Sequence, residues 1–504
     1  MSGHANRRRF MAATAGGLAA VSALNFLGSL PAVSAAEARL DPDRVRFSDE
    51  IEPLVRVVEE TPREKLLEEI AARIRRGLSY RELLAALLLA GVRNIEPRPV
   101  GFKFHSVLVI NSAHLASLAS PDEQRWLPIF WALDYFKKTQ AEQLSQHRWS
   151  LPPVRESALP RAGRARAAFV EAMDNWDESA ADVAVAALAR TAGEQEIFEL
   201  FARFGARDFR SIGHKAIYVA NSRRTLDCIG WQYAEPVLRS LAYALLAHEN
   251  GNPRDGDAPA DRSWRVNLPR AAAMPIDWSS GKSDSAATGE LLATLHTGTP
   301  DEAAAKVVAL SAAGMSPQTI WDGLFVGAGE LLLRQRGIVA LHAVTTANAL
   351  HYAFVTCGDD QTRRMLMLQA ASFVPHFRDA MQSRGKIADV ELAKLEPLPS
   401  AGEHTVAEIL ADISRDRLTA ARKLLSYCRS NPAAGDFAEA ARVLIFTKGN
   451  DAHDYKFSSA AFEDYLRVSP AWRGRYLAAS AYWLRGSRDA DNKLVARTRA
   501  ALDG

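Results

Sequence analysis

The sequence predicts an all-α protein with a four-fold internal helical repeat, either an α/α solenoid or a toroid, and three observations carry that expectation. Strand signals are scarce. Apolar residues recur at i, i+3 and i+4, as in Leu66, Leu67, Ile70 and Ile74, in Ile197, Leu200, Phe201 and Phe204, and in Val406, Ile409, Leu410 and Ile413, which is the spacing of an amphipathic helix. Helix starts are marked by Thr61-Pro62-Arg-Glu64, Ser120-Pro121-Asp-Glu123, Thr299-Pro300-Asp-Glu302 and Ser469-Pro470, where a hydroxyl side chain caps and proline suits the first turn.

The 504 residues are 48% hydrophobic and 24% charged, with 62 basic against 59 acidic side chains. This is ordinary globular composition, which excludes disorder, collagen, a continuous coiled coil and a disulfide scaffold. The surplus of three bases equals Arg7, Arg8 and Arg9, and no acid precedes Glu37. The rest of the chain is balanced, so neither nucleic acid nor an anionic membrane is an expected partner. There is no GxGxxG, no GxxxxGK[ST], no GxSxG and no HExxH, so nucleotide binding, a serine hydrolase elbow and a zinc-protease helix are not indicated.

Residues 1–36 are expected to be a leader. Arg7-Arg8, Phe10, the weakly apolar stretch Ala12 to Leu30 and the small residues up to Ala36 resemble a twin-arginine export signal with its cleavage site. The glycines and polar residues of that stretch make it a poor membrane span, so the mature protein is expected to be periplasmic, without a membrane span, and to meet the twin-arginine export machinery. That route implies a protein that folds, with any cofactor inserted, before export.

The remaining chain divides into repeat 1 (37–150), repeat 2 (151–249), an irregular crossover or lid (250–298), repeat 3 (299–400) and repeat 4 (401–504). A shift of 237 positions lays Gly101-Phe-Lys-Phe-His105-Ser-Val107 and Asn111 over Ile338-Val-Ala-Leu-His342-Ala-Val344 and Asn348 without a gap. Weaker copies surround His214, with Asn221 behind it, and His453, with Lys456 behind it. The four histidines are 109, 128 and 111 residues apart, each preceded and followed by helical patterns, as in stacked helical units. The segment from Asn250 to Gly289 is rich in Gly, Pro, Asp and Ser and too long for a plain connector, so it reads as a functional lid or a mobile crossover.

His105, His214, His342 and His453 each stand at or near the start of a helix. If the inner faces converge, four imidazoles meet, and three or four suffice for a metal ion such as iron or copper. Lys215 and Lys456 would bring positive charge near such a centre, which suits an anionic substrate or a reduced oxygen species. The bland reading, in which each histidine satisfies a neighbouring backbone group, weighs equally. His114 and His351 follow their repeat histidines by nine residues, on the opposite side of the helix, and Asn111 and Asn348 are expected to bond between helices. Asp451 and Asp454 flank His453, either to orient its ring or as first-turn acids. His147, His248, His296, His376 and His404 read as surface or packing residues, and Trp126, Trp131, Trp231, Trp472 and Trp483 as core. Arg125, Arg239, Arg363 and Arg473 recur 20 to 25 residues after the histidines, for ion pairs or an anion. Cys228, Cys357 and Cys428 have no ligand spacing and read as buried or partly buried thiols.

Around these histidines the sequence resembles the questin oxidase-like family, in Gly101-Phe-x-Phe-His105, Gly213-His214-x-x-Ile217, Leu341-His342-Ala-Val-Thr345-x-x-x-Ala349-Leu350 and Asp451-x-His453-x-x-Lys456. The resemblance implies oxygen-dependent oxidation of an aromatic, polyketide-like substrate with NADPH as reductant, although an exported protein is not supplied with NADPH. The resulting expectation is an exported oxidoreductase or oxygenase acting on a small organic substrate. His105, His214, His342, His453 and Lys456 would form its site, with bound iron, copper or haem. The alternative is a non-enzymatic helical-repeat protein that binds a ligand or a protein partner.

Overall fold

The computed structural model describes residues 44–249, 251–399 and 405–503. The expected leader, 1–36, and His404 lie outside the described residues. Twenty-two α-helices and eight short 3₁₀ turns make up the described fold, and the sole β pairing among them is an isolated bridge between Lys282 and Met315. The chain from Val45 onward forms one unit.

The three amphipathic patterns fall inside the helices Arg63–Arg75, Glu194–Gly205 and Thr405–Ile413, and their apolar residues Leu66, Leu67, Ile70, Ile197, Phe201, Phe204 and Ile409 are fully buried. The start signals were used less evenly. Thr299 makes a full capping box with Glu302, with Pro300 in the first turn, and Ser469 precedes Pro470 at the start of its helix. Thr61 instead ends the helix Glu52–Glu60, and Ser120-Pro121 opens a three-residue 3₁₀ turn before the next helix begins at Leu127. The box S/T-x-x-E works only where the N-cap backbone is extended and the glutamate can reach back. Ser79 and Glu82 satisfy this at the helix Tyr80–Asn94.

Four helices carry the repeat histidines: His105–Leu118, His214–Ile229, Ile338–Thr356 and Ala452–Arg467. Each packs on the next, and the last packs back on the first, so the four close a ring. Each inner helix is also packed against the helix before it (Tyr80–Asn94, Glu194–Gly205, Pro317–Arg334 and Gly435–Lys448) and the helix after it (Leu127–Gln146, Ala234–Leu245, Asp360–Gln382 and Pro470–Ser480). Two of the inner helices have almost no exposed face: nearly every residue from His105 to Ser117 and from Val339 to Leu350 is buried, as expected for a helix that is apolar all round. Ile338–Thr356 is long and apolar enough to cross a membrane, and 78% of its most apolar stretch is buried inside the protein.

Three of the four recurring arginines close the inner helices. Arg125 donates to the Ser120 carbonyl (3.2 Å), Arg363 to that of Phe354 (3.3 Å) and Arg473 to that of Val468 (3.1 Å), where helix carbonyls lack partners and a cation complements the dipole. The fourth, Arg239, is buried and paired with Asp182 at 2.8 and 3.0 Å. All three cysteines are free thiols.

The expected irregular lid at 250–298 is a correction. Most of it is helical, in Pro259–Ala273 and Ser285–Thr297, with a 3₁₀ turn at Trp278–Ser280 between them. Residues read as loop formers start these helices: Pro259 occupies a first-turn position and Asp284 caps with its carboxylate. The segment is pinned to the helix Asp360–Gln382, where the fully buried Asn267 donates to Gln369 (2.9 Å) and Ser372 (3.0 Å) and Trp278 donates to Asp360 (2.8 Å). Asn267→Ala removes both bonds and strands the buried Gln369 oxygen. A loss of about 1–3 kcal/mol is expected in denaturant unfolding, whereas a loose lid would show no change.

Candidate functional site

The four repeat histidines meet on the axis of the ring. Going round it, ring centroids are 4.9 Å apart for His105–His214, 4.3 Å for His214–His342, 5.2 Å for His342–His453 and 4.5 Å for His453–His105, with His105 and His342 6.2 Å apart across it. His105, His214 and His342 are almost fully buried. Each of the three offers a ring nitrogen within 4.8 Å of the other two.

The outward nitrogen of every ring is held by an oxygen. Nδ1 of His105 donates to the Phe102 carbonyl (2.9 Å), that of His214 to the Ser211 carbonyl (2.6 Å), that of His342 to the Ile338 carbonyl (2.6 Å) and that of His453 to the Asp451 carboxylate (2.5 Å). Because these oxygens can only accept, Nδ1 carries the hydrogen in each ring and Nε2 of the neutral ring is a lone pair. Two of the carbonyls are aimed by backbone in the left-handed region: Phe102 has φ 47° and Ser211 φ 56°, the latter followed by Ile212 at φ 44°. Such conformations cost about 1–3 kcal/mol each and gather where a site needs them. Two glycines complete the approach. Gly101 (φ +124°) lies against the His214 ring, and Gly213 (φ +78°) lies so close to Thr346 that a Cβ there would be 2.0 Å from its hydroxyl oxygen.

The inward nitrogens face one another. Nε2 of His105 and Nε2 of His214 are 2.8 Å apart, and Nε2 of His342 and of His453 are buried with no hydrogen-bond partner in the protein. Two lone pairs at hydrogen-bond distance repel unless a proton or a cation lies between them. Burial, with the Lys456 cation close by, holds His105 and His214 well below the ordinary histidine range, and burial with His214 and Lys456 does the same to His342, which disfavours the proton. Imidazole nitrogens about 2.0–2.1 Å from one ion would lie about 3–4 Å apart, so His105, His214 and His342 could hold an ion if the 2.8 Å approach of His105 and His214 opened by a few tenths of an ångström or more.

Lys456 is the fifth residue the sequence singled out, and it too is at the centre. Its Nζ is buried without a hydrogen-bond partner, and burial pulls it down to about 7. Lys215 is a correction. It is buried elsewhere, donating to Asp208 (2.8 Å) and to the Ala247 carbonyl (2.8 Å). The two acids beside His453 divide the roles considered for them. Asp451 orients the ring and is held near 2 by that hydrogen bond, while Asp454 completes the helix cap and pairs with Arg485 at 2.8 Å.

His114 accepts or donates at the Tyr80 hydroxyl (3.0 Å) and His351 lies among Trp321, Phe325 and Phe354, both away from the centre. Asn111 donates to Asn221 (3.3 Å), and Asn348 to Glu463 (2.8 Å) and Asp464 (2.7 Å), so these asparagines do bond between helices. Of the remaining histidines, His147 pairs with Glu96, His296 with Glu330 and Asp389, and His376 with Ser263. The tryptophans pack on other rings, Trp131 against Tyr455 and Tyr135 and Trp126 against Tyr80.

Two spaces adjoin the site. An axial cavity of about 20 Å³ inside the ring is lined by Lys456, Thr345, Asn111, Asn221, Asn348 and Arg224, among others. A surface cleft of about 620 Å³ is bordered by Asp451, Trp131, Tyr135, Lys138 and Lys493. The sequence reading gave no role to the carbonyl holders Phe102 and Ser211 or to the lining residue Thr345, although Phe102 and Thr345 stand in the motifs that carry the resemblance. For Ser211 no sequence signal exists beyond its position three residues before a repeat histidine.

Compared with known proteins, the chain matches no protein-family profile, no curated protein and no solved structure.

Proposed function

We propose that the protein is an oxidoreductase in which His105, His214 and His342, joined by His453, hold one redox-active transition-metal ion, iron or copper, and that a small organic substrate is oxidised there. The observation that carries this reading is the 2.8 Å approach of the His105 and His214 Nε2 atoms, with every Nδ1 already committed to an oxygen. Imidazole is a common ligand for both metals. The ring-to-ring contacts favour a single ion over haem, whose macrocycle needs an open slot between axial ligands. When bound, the ion supplies electron transfer to or from dioxygen. The chain's own residues fix the four rings in one tautomer, exclude bulk water and place the Lys456 amino group beside the centre. The cleft at Trp131 and Tyr135 is of a size that holds an organic ligand, and Asp451 on its wall is hydrogen-bonded to His453, so an aromatic substrate is assigned to that cleft.

The leader motif Arg7-Arg8 supports export of the folded, loaded protein to the periplasm. A second reading, a metal-holding protein without catalysis, is favoured by the size of the axial cavity, whose roughly 20 Å³ admits nothing larger than water.

Metal analysis of protein recovered from the periplasm tests the proposal. About one iron or copper per chain with a visible or paramagnetic signature is expected, lost in the His105→Ala/His342→Ala double variant. Sub-stoichiometric metal in the parent and unchanged melting of the double variant would overturn it. Redox cycling of the ion without turnover of any aromatic substrate would leave the second reading.

A further inference from the structure

Neither space beside the histidine centre lets an organic molecule touch the inner nitrogens. The axial cavity, at about 20 Å³, admits only water, and no histidine stands among the described residues that line it or the surface cleft. His105, His214 and His342 are buried, and the four rings are in contact round the axis. His453 is the exception to that burial. Its side chain is 13% exposed, and its Nδ1 donates to Asp451 at 2.5 Å. The Asp451 side chain is 57% exposed and stands on the wall of the cleft of about 620 Å³. Nε2 of the same ring points the other way, buried and without a partner, and the ring lies 4.5 Å from that of His105 and 5.2 Å from that of His342. One carboxylate and one imidazole therefore link the cleft to the centre.

The cleft suits a flat ring. Trp131 is nearly buried in its wall, fixed by Tyr455 (ring centroids 4.5 Å) and stacked on Tyr135 (5.1 Å), which lines the cleft as well. Such faces favour an aromatic ligand. The two arginines there are met inside the protein, Arg63 by Asp134 at 2.7 Å and Arg497 by Glu68 at 2.8 Å. A ring held in this cleft can lose an electron to the centre but cannot receive an oxygen atom from it, because atom transfer needs contact and electron transfer does not. Loss of an electron is easiest where a proton leaves with it, as from an aromatic O–H open to solvent. We propose that the cleft is an outer-sphere donor site. A hydroquinone- or catechol-type aromatic diol gives up electrons there one at a time, through the hydrogen bond between Asp451 and His453, without becoming a ligand. Each step breaks one O–H bond, with the electron passing to the oxidised metal ion and the proton to the solvent in the cleft. Two oxidised ions are reduced per diol, the quinone is the product, and no new carbon–oxygen bond forms. The inference rests on the metal reading above and names its substrate class and the path of its electrons.

Copper(II)-loaded full-length protein, its copper content measured, provides the test when mixed with hydroquinone in the absence of air while the paramagnetic signal is followed. The reduction rate should saturate with hydroquinone, and two coppers should be reduced for each quinone formed. Resorcinol, an aromatic diol that cannot form a quinone, should compete while leaving the copper(II) spectrum unchanged. In Trp131→Ala the copper content should hold and the half-saturating concentration should rise about ten-fold. In Asp451→Asn the copper reduction potential should rise, because a carboxylate partner makes the imidazole a stronger donor to the more highly charged ion. A surface acid not coupled to the centre would leave the potential alone. Copper that is held but not reduced, a rate that does not saturate, a phenolate-to-copper charge-transfer band with either diol, or an unmoved potential in Asp451→Asn would overturn the outer-sphere route while leaving the metal site standing. Equal half-saturation in a folded Trp131→Ala would do the same. A parent that retains no copper would overturn both readings, and the copper measurement tells the two failures apart. Saturation and resorcinol competition in the parent decide the matter should Trp131→Ala not fold.

Discussion

Alanine at His342 is expected to weaken metal binding on the order of 10²- to 10³-fold, and alanine at His453 only about 10- to 100-fold. The first figure follows from sharing the roughly 10–16 kcal/mol of a four-ligand structural site among its members, about 2.5–4 kcal/mol each. His342 belongs to the triad whose ring nitrogens all lie within 4.8 Å of one another, and its Nε2 is buried with no alternative partner. His453 is less buried, and its Nδ1 is bound to a carboxylate that is itself largely exposed. It can swing with Asp451, so its loss resembles that of a supporting group, for which 10- to 100-fold is typical. Competition titration with a chromophoric chelator reads both affinities, and far-ultraviolet circular dichroism of the metal-free variants checks that the helices are intact. Equal losses at the two positions would make His453 a full ligand. No loss at either would remove the metal from the centre.

The contrast between Lys215 and Lys456 shows what the sequence contained. Lys456 follows His453 by three residues, about 300° round the helix, and so shares its face. Lys215 follows His214 by one, about 100° round, and points outward, where Asp208 receives it. Helical phase alone separates the two lysines, and the same arithmetic placed His114 and His351 away from the centre. The convergence of the four histidines was legible for a related reason: a polar ring recurring at one register of otherwise apolar helices is too costly to be repeated idly. The carbonyls of Phe102 and Ser211 were not legible. They reach their rings through left-handed backbone at residues with side chains, which no local preference foretells. The segment 250–298 failed differently, because Pro, Asp and Ser mark helix starts as well as loops, and the deciding contact, Asn267 with Gln369 and Ser372, joins residues more than a hundred positions apart in sequence.

The metal-free protein is expected to lose stability steeply below pH 6.5, by about 4 kcal/mol at pH 5.5 from the centre alone. His105, His214 and His342 are held below the ordinary histidine value in the folded chain, chiefly by burial. Their folded forms therefore stay neutral while the unfolded chain takes up protons. A base with a depressed folded value contributes stability that is full above the unfolded value, near 6.5, and is lost as pH falls through it, by up to about 1.4 kcal/mol per pH unit for each group. Burial lowers His114 and His376 too, and takes His351 to about 3. The opposite slope comes from buried acids held high, Asp464 and Asp322, each of which returns at most one proton's worth. Urea unfolding of chelator-treated protein at pH 7.5, 6.5 and 5.5 measures the net slope. His351→Leu, far from the centre, should flatten it by one histidine's share, and saturating metal should hold the folded state further into acid by occupying the same Nε2 atoms. Stability that stays level from pH 7.5 to 5.5 would mean that the three central rings take up protons in the folded chain. The 2.8 Å contact between His105 and His214 would then be bridged by hydrogen, and the argument for a metal ion between them would fall.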